Sequence, residues 1–370
     1  PFTFKHHMLV ANAEIYNDTW LHQTYAPMYE KYSQSDCEIL LPVYDTLKEN
    51  MFALLDAEFA IVLYDAVDKT YVAARDPIGI RPLFYGYDKM SKAIVFSSEM
   101  KSLIDLVDKV YPFPPGHYYK DGVFKSFTTL YQITHQHQDL SVILRNIREK
   151  LIQGVVKRLH ADAPIGYLLS GGLDSSLVCA IAAKHIQKPI KTFSIGMDKD
   201  AIDLKYAKQV ADYLNTEHTE VIMTTEDVLN SLKEVIYALE TYDITTIRAS
   251  IGMYLVAKYI HQKTDIKVLL TGEVSDEMFG YKYTDFAPNA EAFQQESIKR
   301  MKELHVYDVL RADRCLAANS LEARVPFADI ELMTYVLSID PKVKMNTTGI
   351  GKYLLRKAFE GDFLPQDILY

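Results

Sequence analysis

Residues 165–176 read Ile165-Gly166-Tyr167-Leu168-Leu169-Ser170-Gly171-Gly172-Leu173-Asp174-Ser175-Ser176. The apolar run 165–169 predicts a short buried strand, the Ser/Gly stretch a tight turn, and residues 177–184 a helix. Adjacent glycines let backbone approach a ligand closely, and three serines add hydroxyl donors. Amide groups at the start of the helix point at an anion, and the helix dipole adds to the attraction. No Lys follows the turn, which excludes a Walker-type phosphate loop. The turn carries an acid instead, Asp174. An acid beside a phosphate nest requires a bridging cation such as Mg²⁺.

A chain of 370 residues with 49% apolar and 24% charged residues is an ordinary globular composition, large enough for two cores. The net charge of −9 argues against a nucleic-acid partner. The apolar runs are too short for a membrane span, and no basic-then-apolar start reads as a signal peptide. Cys37, Cys179 and Cys315 are odd in number and far apart. They predict neither a disulfide framework nor a zinc site, and favour a reducing, cytoplasmic setting. The chain opens on Pro1 without an initiator Met and stops soon after Leu364-Pro365, as a fragment would.

Two regimes follow each other along the chain. Up to about residue 130, short β-rich runs alternate with turns: 57–65, 70–76, 84–87, 93–98 and a strand starting at Tyr118-Tyr119. A polar stretch, 134–139, then reads as a linker, with His135 and His137 as solvated residues and not a metal pair. From Leu140 the period becomes helical, with Ile143, Ile147, Leu151, Val155 and Leu159 on one face. Strands at 167–169, 190–195, 219–223 and 267–270 alternate with helices near 204–214, 228–239 and 251–262. This βαβ pattern predicts an open, doubly wound parallel sheet, with ligands beyond the carboxyl ends of its strands.

Other segments supply chemistry to that edge. After the strand ending at Leu270 comes Thr271-Gly272-Glu273-Val274-Ser275-Asp276-Glu277, whose crowded acids favour a cation or a basic partner. The stretch Glu240-Thr241-Tyr242-Asp243-Ile244-Thr245-Thr246-Ile247-Arg248-Ala249-Ser250 offers hydroxyls and an Arg suited to a phosphate or carboxylate. As a bare helix start, it would be capped by Thr246. Gly351-Lys352-Tyr353-Leu354-Leu355-Arg356 places a cation after a glycine-rich turn.

The string SGGLDSS resembles the pyrophosphate loop of the ATP pyrophosphatases. Together with TFSIG, ETYDITTIRAS, TGEVSDE, LEARVPF and GKYLLRKAF, spread from about 165 to 360, it resembles the synthetase domain of the glutamine-hydrolysing asparagine synthetases. The resemblance implies a site built from Leu169, Ser170, Gly171, Gly172, Asp174, Ser175, Ile195, Gly196, Thr271 and Gly272 for ATP and pyrophosphate. Asp174 and Asp276 would hold Mg²⁺. Thr245, Thr246 and Arg248 would handle the phosphate and the aspartyl group, Glu273 would act on the attacking ammonia, and Lys352 would stabilise phosphate charge. The family usually has Gly at the position of Val274. If that Gly takes a positive φ, the loop here must differ, because a β-branched residue resists that conformation.

The first half resembles the glutaminase domain of the same family, an N-terminal-nucleophile amidohydrolase with αββα layers, incomplete here. The matching strings are NAEIYN, SDCE, RDPIGIRPL and SEMK. They imply an oxyanion hole from Asn12 and the Ala13 amide, with Glu14 and Asp36 binding the amino group of glutamine. The family's nucleophile is an N-terminal Cys, whereas residue 1 is Pro. The resulting expectation is a glutaminase domain at 1–132 and a synthetase domain at 140–370. Asparagine would form from aspartate and ATP through β-aspartyl-AMP, with nitrogen from glutamine in the full-length protein and from ammonia in the chain beginning at Pro1. A homodimer is compatible with this reading. Two rival readings stay open: a β-lactam-synthetase-like cyclase, and a degenerate relative kept for binding or regulation.

Overall fold

The computed structural model describes residues 1–136, 139–198 and 201–370, so His137 of the histidine pair lies outside the described residues. The chain forms two compact units, Pro1–Leu130 and Tyr131–Tyr370.

The first unit runs β1 (Phe2–Phe4), β2 (His7–Ile15), α1 (Asp18–Tyr25), α2 (Leu40–Leu47), β3 (Ala57–Asp65), β4 (Thr70–Arg75), β5 (Phe84–Tyr87), β6 (Ile94–Ser97), β7 (Tyr111–Pro112), β8 (His117–Lys120) and β9 (Val123–Ser126). An antiparallel sheet in the order β1-β2-β3-β4-β8-β9 carries the helices on one face, where Leu9, Ile61 and Leu63 meet Leu21, Leu40 and Val43. Its other face packs on a second sheet, β6-β5-β7, through Ala60, Ala73, Leu83 and Phe113. One α layer and two β layers are thus present.

The turn between β4 and β5 is wired by two buried charges. Asp76 accepts hydrogen bonds from the amides of Phe59, Ile78, Gly79, Ile80 and Arg81. Arg75 donates to the carbonyls of Gly79, Arg81 and Phe113. Every charge-bearing atom is satisfied by backbone, which is what makes such deep burial tolerable.

The second unit runs α3 (Leu140–Lys157), β10 (Ile165–Leu168), α4 (Leu173–His185), β11 (Lys191–Gly196), α5 (Ile202–Leu214), β12 (Glu217–Ile222), α6 (Thr225–Leu239), α7 (Ile244–Lys263), β13 (Val268–Leu270), α8 (Ser275–Phe279), α9 (Ala290–Glu303), α10 (Asp308–Ala317), β14 (Glu322–Arg324), α11 (Ile330–Ser338), α12 (Pro341–Lys344), α13 (Tyr353–Ala358) and α14 (Gln366–Leu369). The sheet is parallel throughout, in the order β12-β11-β10-β13-β14. Phe193 and Ile195 of β11 face α6 and α7. Gly196 on the opposite face meets Leu204 of α5, so helices cover both sides. The periodicity of α3 holds for Ile143, Ile147, Leu151 and Val155, all buried, each contributing about 1.5–3 kcal/mol. Leu159 falls beyond the helix end. The fifth strand, β14, is too short to register as an alternating pattern.

Lys344 is buried among α9, α11 and α12. Its Nζ donates to Gln294 Oε1 at 2.8 Å and to the Val336 carbonyl at 3.0 Å, with the Phe293 ring 6.0 Å away. Burial pushes its pKa down to about 7 against a small opposing pull from Asp340. Below about pH 7 both folded and unfolded chains bind the proton. Between there and the ordinary lysine range, only the unfolded chain does, so this group makes stability rise with pH. Urea unfolding of the wild type and Lys344→Met should therefore diverge in favour of the wild type, by about 1.4 kcal/mol per pH unit from 7 to 9. A pH-independent difference would mean that Lys344 is charged in the fold.

Candidate active site

Strand order reverses between β10 and β13, which is where ligands bind in sheets of this kind. The loop after β10 and the loop after β13 therefore lie side by side. Two glycines permit the packing here, Gly171 against α5 and Gly272 between the two loops. Gly171 has φ +78°, and a Cβ there would lie 2.5 Å from the Ala207 amide of α5. A Cβ on Gly272 would lie 2.8 Å from the amide of Ser175. Gly172 caps α4, leaving the first amides of that helix open. Ser170 and Ser175 join hydroxyl to hydroxyl at 2.9 Å, and the Ser170 amide donates to Ser175 Oγ at 3.2 Å. The Thr271 hydroxyl is buried beside them without a hydrogen-bond partner.

Charges converge on the same edge. Asp174 accepts a hydrogen bond from Ser275 Oγ at 2.7 Å and one from Lys352 Nζ at 2.5 Å. Lys352 also pairs with Asp276, so both carboxylates reach one ammonium group. Burial raises the pKa of Asp276, with Lys352 opposing and Asp174 adding repulsion. Two carboxylates within reach of one cation, beside a phosphate nest, form an oxygen donor set that suits Mg²⁺ shared with substrate phosphates. Glu273 pairs with Arg311 at 2.8 Å, and Arg311 also holds Asp308 at 2.8 Å. Burial pushes the Glu277 carboxyl up to about 8, reinforced by Asp308, Asp276 and Glu273.

Two cavities flank this charged wall. The first, about 490 Å³, is lined by Leu169, Ser170, Gly172, Asp174, Ser175, Ile195, Thr271, Gly272, Glu273 and Asp276, among others. The second, about 390 Å³, is lined by Thr245, Thr246 and Asp276, together with Tyr281, Tyr283, Arg300 and Glu303. Asp276, Glu277, Asp308 and Arg311 line both. Four expected residues of this unit line neither cavity: Gly171 and Gly196, which turn toward α5, Arg248, which is exposed on α7, and Lys352, which reaches the edge through Asp174 and Asp276. Asp243, not Thr246, caps α7: its carboxylate accepts the Thr246 amide at 2.7 Å, so the helix starts earlier than the periodicity suggests.

Arg311, Asp308, Ser275 and Arg300 escaped the sequence reading. The only trace of the first two is an i,i+3 charge pair on a helix, which looks the same as a surface pair.

In the first unit, the end of β2 gathers the other expected residues. The Ile15 amide donates to Asp36 at 2.5 Å, and Cys37 Sγ lies 3.5 Å from the Ala13 carbonyl. Burial raises the Cys37 pKa, with Asp36 and Glu14 adding repulsion, so this thiol stays protonated. Asn12 is exposed on the same strand. The neighbouring Glu38 is buried and accepts from Tyr29, Tyr32 and Ser33, which fixes the loop entering this corner.

A family model described as asparagine synthase matches residues 146–291 and 284–370, and one described as a glutamine amidotransferase domain matches residues 1–105. The chain belongs to the asparagine synthase family. It is 41% identical to asparagine synthetase [glutamine-hydrolyzing] 3 of Arabidopsis thaliana, over 98% of this chain and 65% of that protein. It is 41% identical to a probable asparagine synthetase [glutamine-hydrolyzing] of Schizosaccharomyces pombe and 40% identical to the asparagine synthetase [glutamine-hydrolyzing] of Cricetulus griseus, over 98% of this chain and 70% of each. The chain thus spans just under two thirds of the Arabidopsis relative.

Val274 departs from the glycine that resemblance to asparagine synthetases leads one to expect. Val274 is buried and holds φ +81°, at the N-cap of α8. A left-handed conformation costs a side-chain-bearing residue about 1–2 kcal/mol, and burial of the isopropyl group offsets it with about 1.5–3 kcal/mol. Such strain characteristically sits at functional sites.

Two predictions follow from this geometry. Val274→Ala loses burial and keeps the strain, whereas Val274→Gly loses burial and the strain together. The Gly variant should be the more stable of the two by about 1 kcal/mol in chemical denaturation, reversing the usual order. Lys352→Met leaves Asp174 and Asp276 facing each other unneutralised. In EDTA it should lose about 1–3 kcal/mol, between exposed and buried ion-pair values. Millimolar Mg²⁺ should restore its melting temperature more than it raises that of the wild type. An unchanged melting temperature in EDTA would deny the ion triad a structural role.

Proposed function

We propose that this chain activates aspartate with ATP and converts the product to asparagine. The observation that carries the reading is the wall of Asp276, Glu277, Asp308 and Arg311 shared by two cavities, with a phosphate-nest geometry on one side of it. ATP occupies the first cavity, with its phosphates against the open amides of α4 and the Ser170 and Ser175 hydroxyls. Mg²⁺, held by Asp174 and Asp276, would neutralise phosphate charge there. Lys352 moves from the carboxylates to the phosphates as their charge develops.

An oxygen of the aspartate β-carboxylate attacks the α-phosphorus. The new O–P bond forms as the P–O bond to pyrophosphate breaks, giving β-aspartyl-AMP. Ammonia then attacks the β-carbonyl carbon, AMP leaves with the acyl oxygen, and Glu273 takes the proton released from nitrogen. Thr245 and Thr246 stand at the acceptor side. Arg248, exposed on α7, turns inward to the phosphate as the substrates enter.

The first unit supplies nitrogen from glutamine, with Asn12, Ala13, Glu14 and Asp36 around the amide. Domain limits of 1–132 and 140–370 go with this assignment, as does a cytoplasmic setting. Among the described residues no helix is long and apolar enough to cross a membrane.

ATP–pyrophosphate exchange dependent on aspartate tests the first step, and Asp174→Asn should abolish it. A single-turnover comparison tests the second. Glu273→Gln should still release pyrophosphate while asparagine falls by about 10²–10⁴-fold, the usual range of general-base assistance. Equal loss of both products would place Glu273 in adenylation.

A further inference from the structure

Lys352 owes its place to a turn that its own residue type does not favour. It holds φ +57° at the N-cap of α13, and Gly349, three residues earlier, holds φ +75°. In that left-handed region Cβ crowds the following carbonyl, so a lysine enters it only when something holds it there. Side-chain packing around the two glycines of the turn does not: a Cβ on Gly349 or Gly351 would meet nothing within 4 Å. The ammonium end is nonetheless closely placed. Nζ donates to Asp174 at 2.5 Å, pairs with Asp276, and lies 5.9 Å from the centre of the Tyr281 ring.

The root of the side chain is held by Arg356, one helical turn further on. Its amide donates to the Lys352 carbonyl at 3.0 Å, and its Nε to the Gly351 carbonyl at 2.7 Å. Its Nη1 donates to the Leu369 carbonyl at 2.5 Å, at the end of α14. One residue thus ties down both carbonyls of the bend and anchors them to a second helix. The guanidinium is a rigid planar fork, so the contact at Leu369 also sets the direction of Nε. Burial pushes the Arg356 pKa down, with the Asp174 carboxylate opposing. The side chain therefore stands near the charged edge, yet it lines neither cavity.

We infer that Arg356 is a positioning residue for Lys352: it fixes the left-handed turn, so that the lysine side chain swings between the carboxylates and the phosphates from a stationary root. The inference rests on the reaction proposed above, in which Lys352 makes that move. Arg356 touches neither substrate nor reacting atoms. Without it the turn relaxes toward negative φ, the root of Lys352 shifts, and the ammonium meets the phosphates out of line. An ammonium in place of the fork is a point charge and cannot hold both carbonyls at a fixed angle.

The test is a double-mutant cycle in the full chain, read by aspartate-dependent ATP–pyrophosphate exchange. Arg356→Gln should lower the exchange kcat about 100-fold, the order of loss that a misplacement of about 1 Å brings, and leave the KM for ATP and for aspartate within about threefold. In a Lys352→Met background the same change should cost less than about threefold more, because the group that it positions is already gone. A merely structural role, or a direct action on the phosphates, would make the two losses multiply, and that result overturns the assignment. So does an Arg356→Gln kcat within about twofold of wild type.

Urea unfolding in EDTA reads the same coupling without turnover, and decides where Lys352→Met leaves no measurable exchange. The drop in midpoint caused by Lys352→Met should shrink by at least about half when Arg356 is already Gln. An equal drop in both backgrounds, or none in either, overturns the assignment. Should Arg356→Gln not fold, Arg356→Lys carries both cycles. Absence of aspartate-dependent exchange in the wild type removes the reaction, and leaves the urea cycle to decide whether Arg356 holds Lys352.

Discussion

The backbone of Gly272 lies against the first turn of α4, closer than any side chain allows. That contact is the constraint on which the rest of the site depends. It follows from the strand order, because the sheet reverses direction between β10 and β13 and sends their following loops to the same point. Once the loops touch, Asp174 and Asp276 come within reach of one ammonium group, and Lys352 closes over both. Glu273 is drawn onto Arg311 from the other side. A small number of backbone contacts thus sets the spacing of several charges.

Much of this was legible in the sequence because the relevant signals are local. The buried strand, the Ser/Gly turn and the apolar helix after it are consecutive, and each has its own period. The same holds for the stretch after Leu270. What stayed hidden depends on long-range geometry. Arg311 and Asp308 sit on α10, and only the folded sheet shows that their face looks onto Glu273. For Arg248 the sequence shows only that the residue type suits a phosphate, and in this fold its side chain is exposed. At Val274 the sequence correctly marked a conflict between residue and conformation. It could not show that surrounding packing would hold the valine in a left-handed conformation.

The first unit makes a related point about buried charge. Arg75 and Asp76 sit side by side in a sequence that reads as a turn, and both are completely enclosed. Asp76 gathers five backbone amides and Arg75 three carbonyls, so the pair acts as a connector for main chain from β3, the following turn and the segment at Phe113. Removing either charge would orphan several backbone groups at once, a heavier loss than that of the ion pair alone. A motif of this kind is maintained by hydrogen-bond satisfaction, whatever the chemistry of the nearby corner formed by Asp36 and Cys37.

The wall between the two cavities has a thermodynamic corollary. Arg311 bridges Glu273 and Asp308, and it lines both spaces. A ligand in either space that draws on this guanidinium alters what remains for the other. Linkage then requires the effect to be mutual: by whatever factor one occupant changes the affinity of its neighbour, the neighbour changes its own in return. The partition is therefore also a coupling element, through which occupancy of one space is felt as a change of affinity in the other.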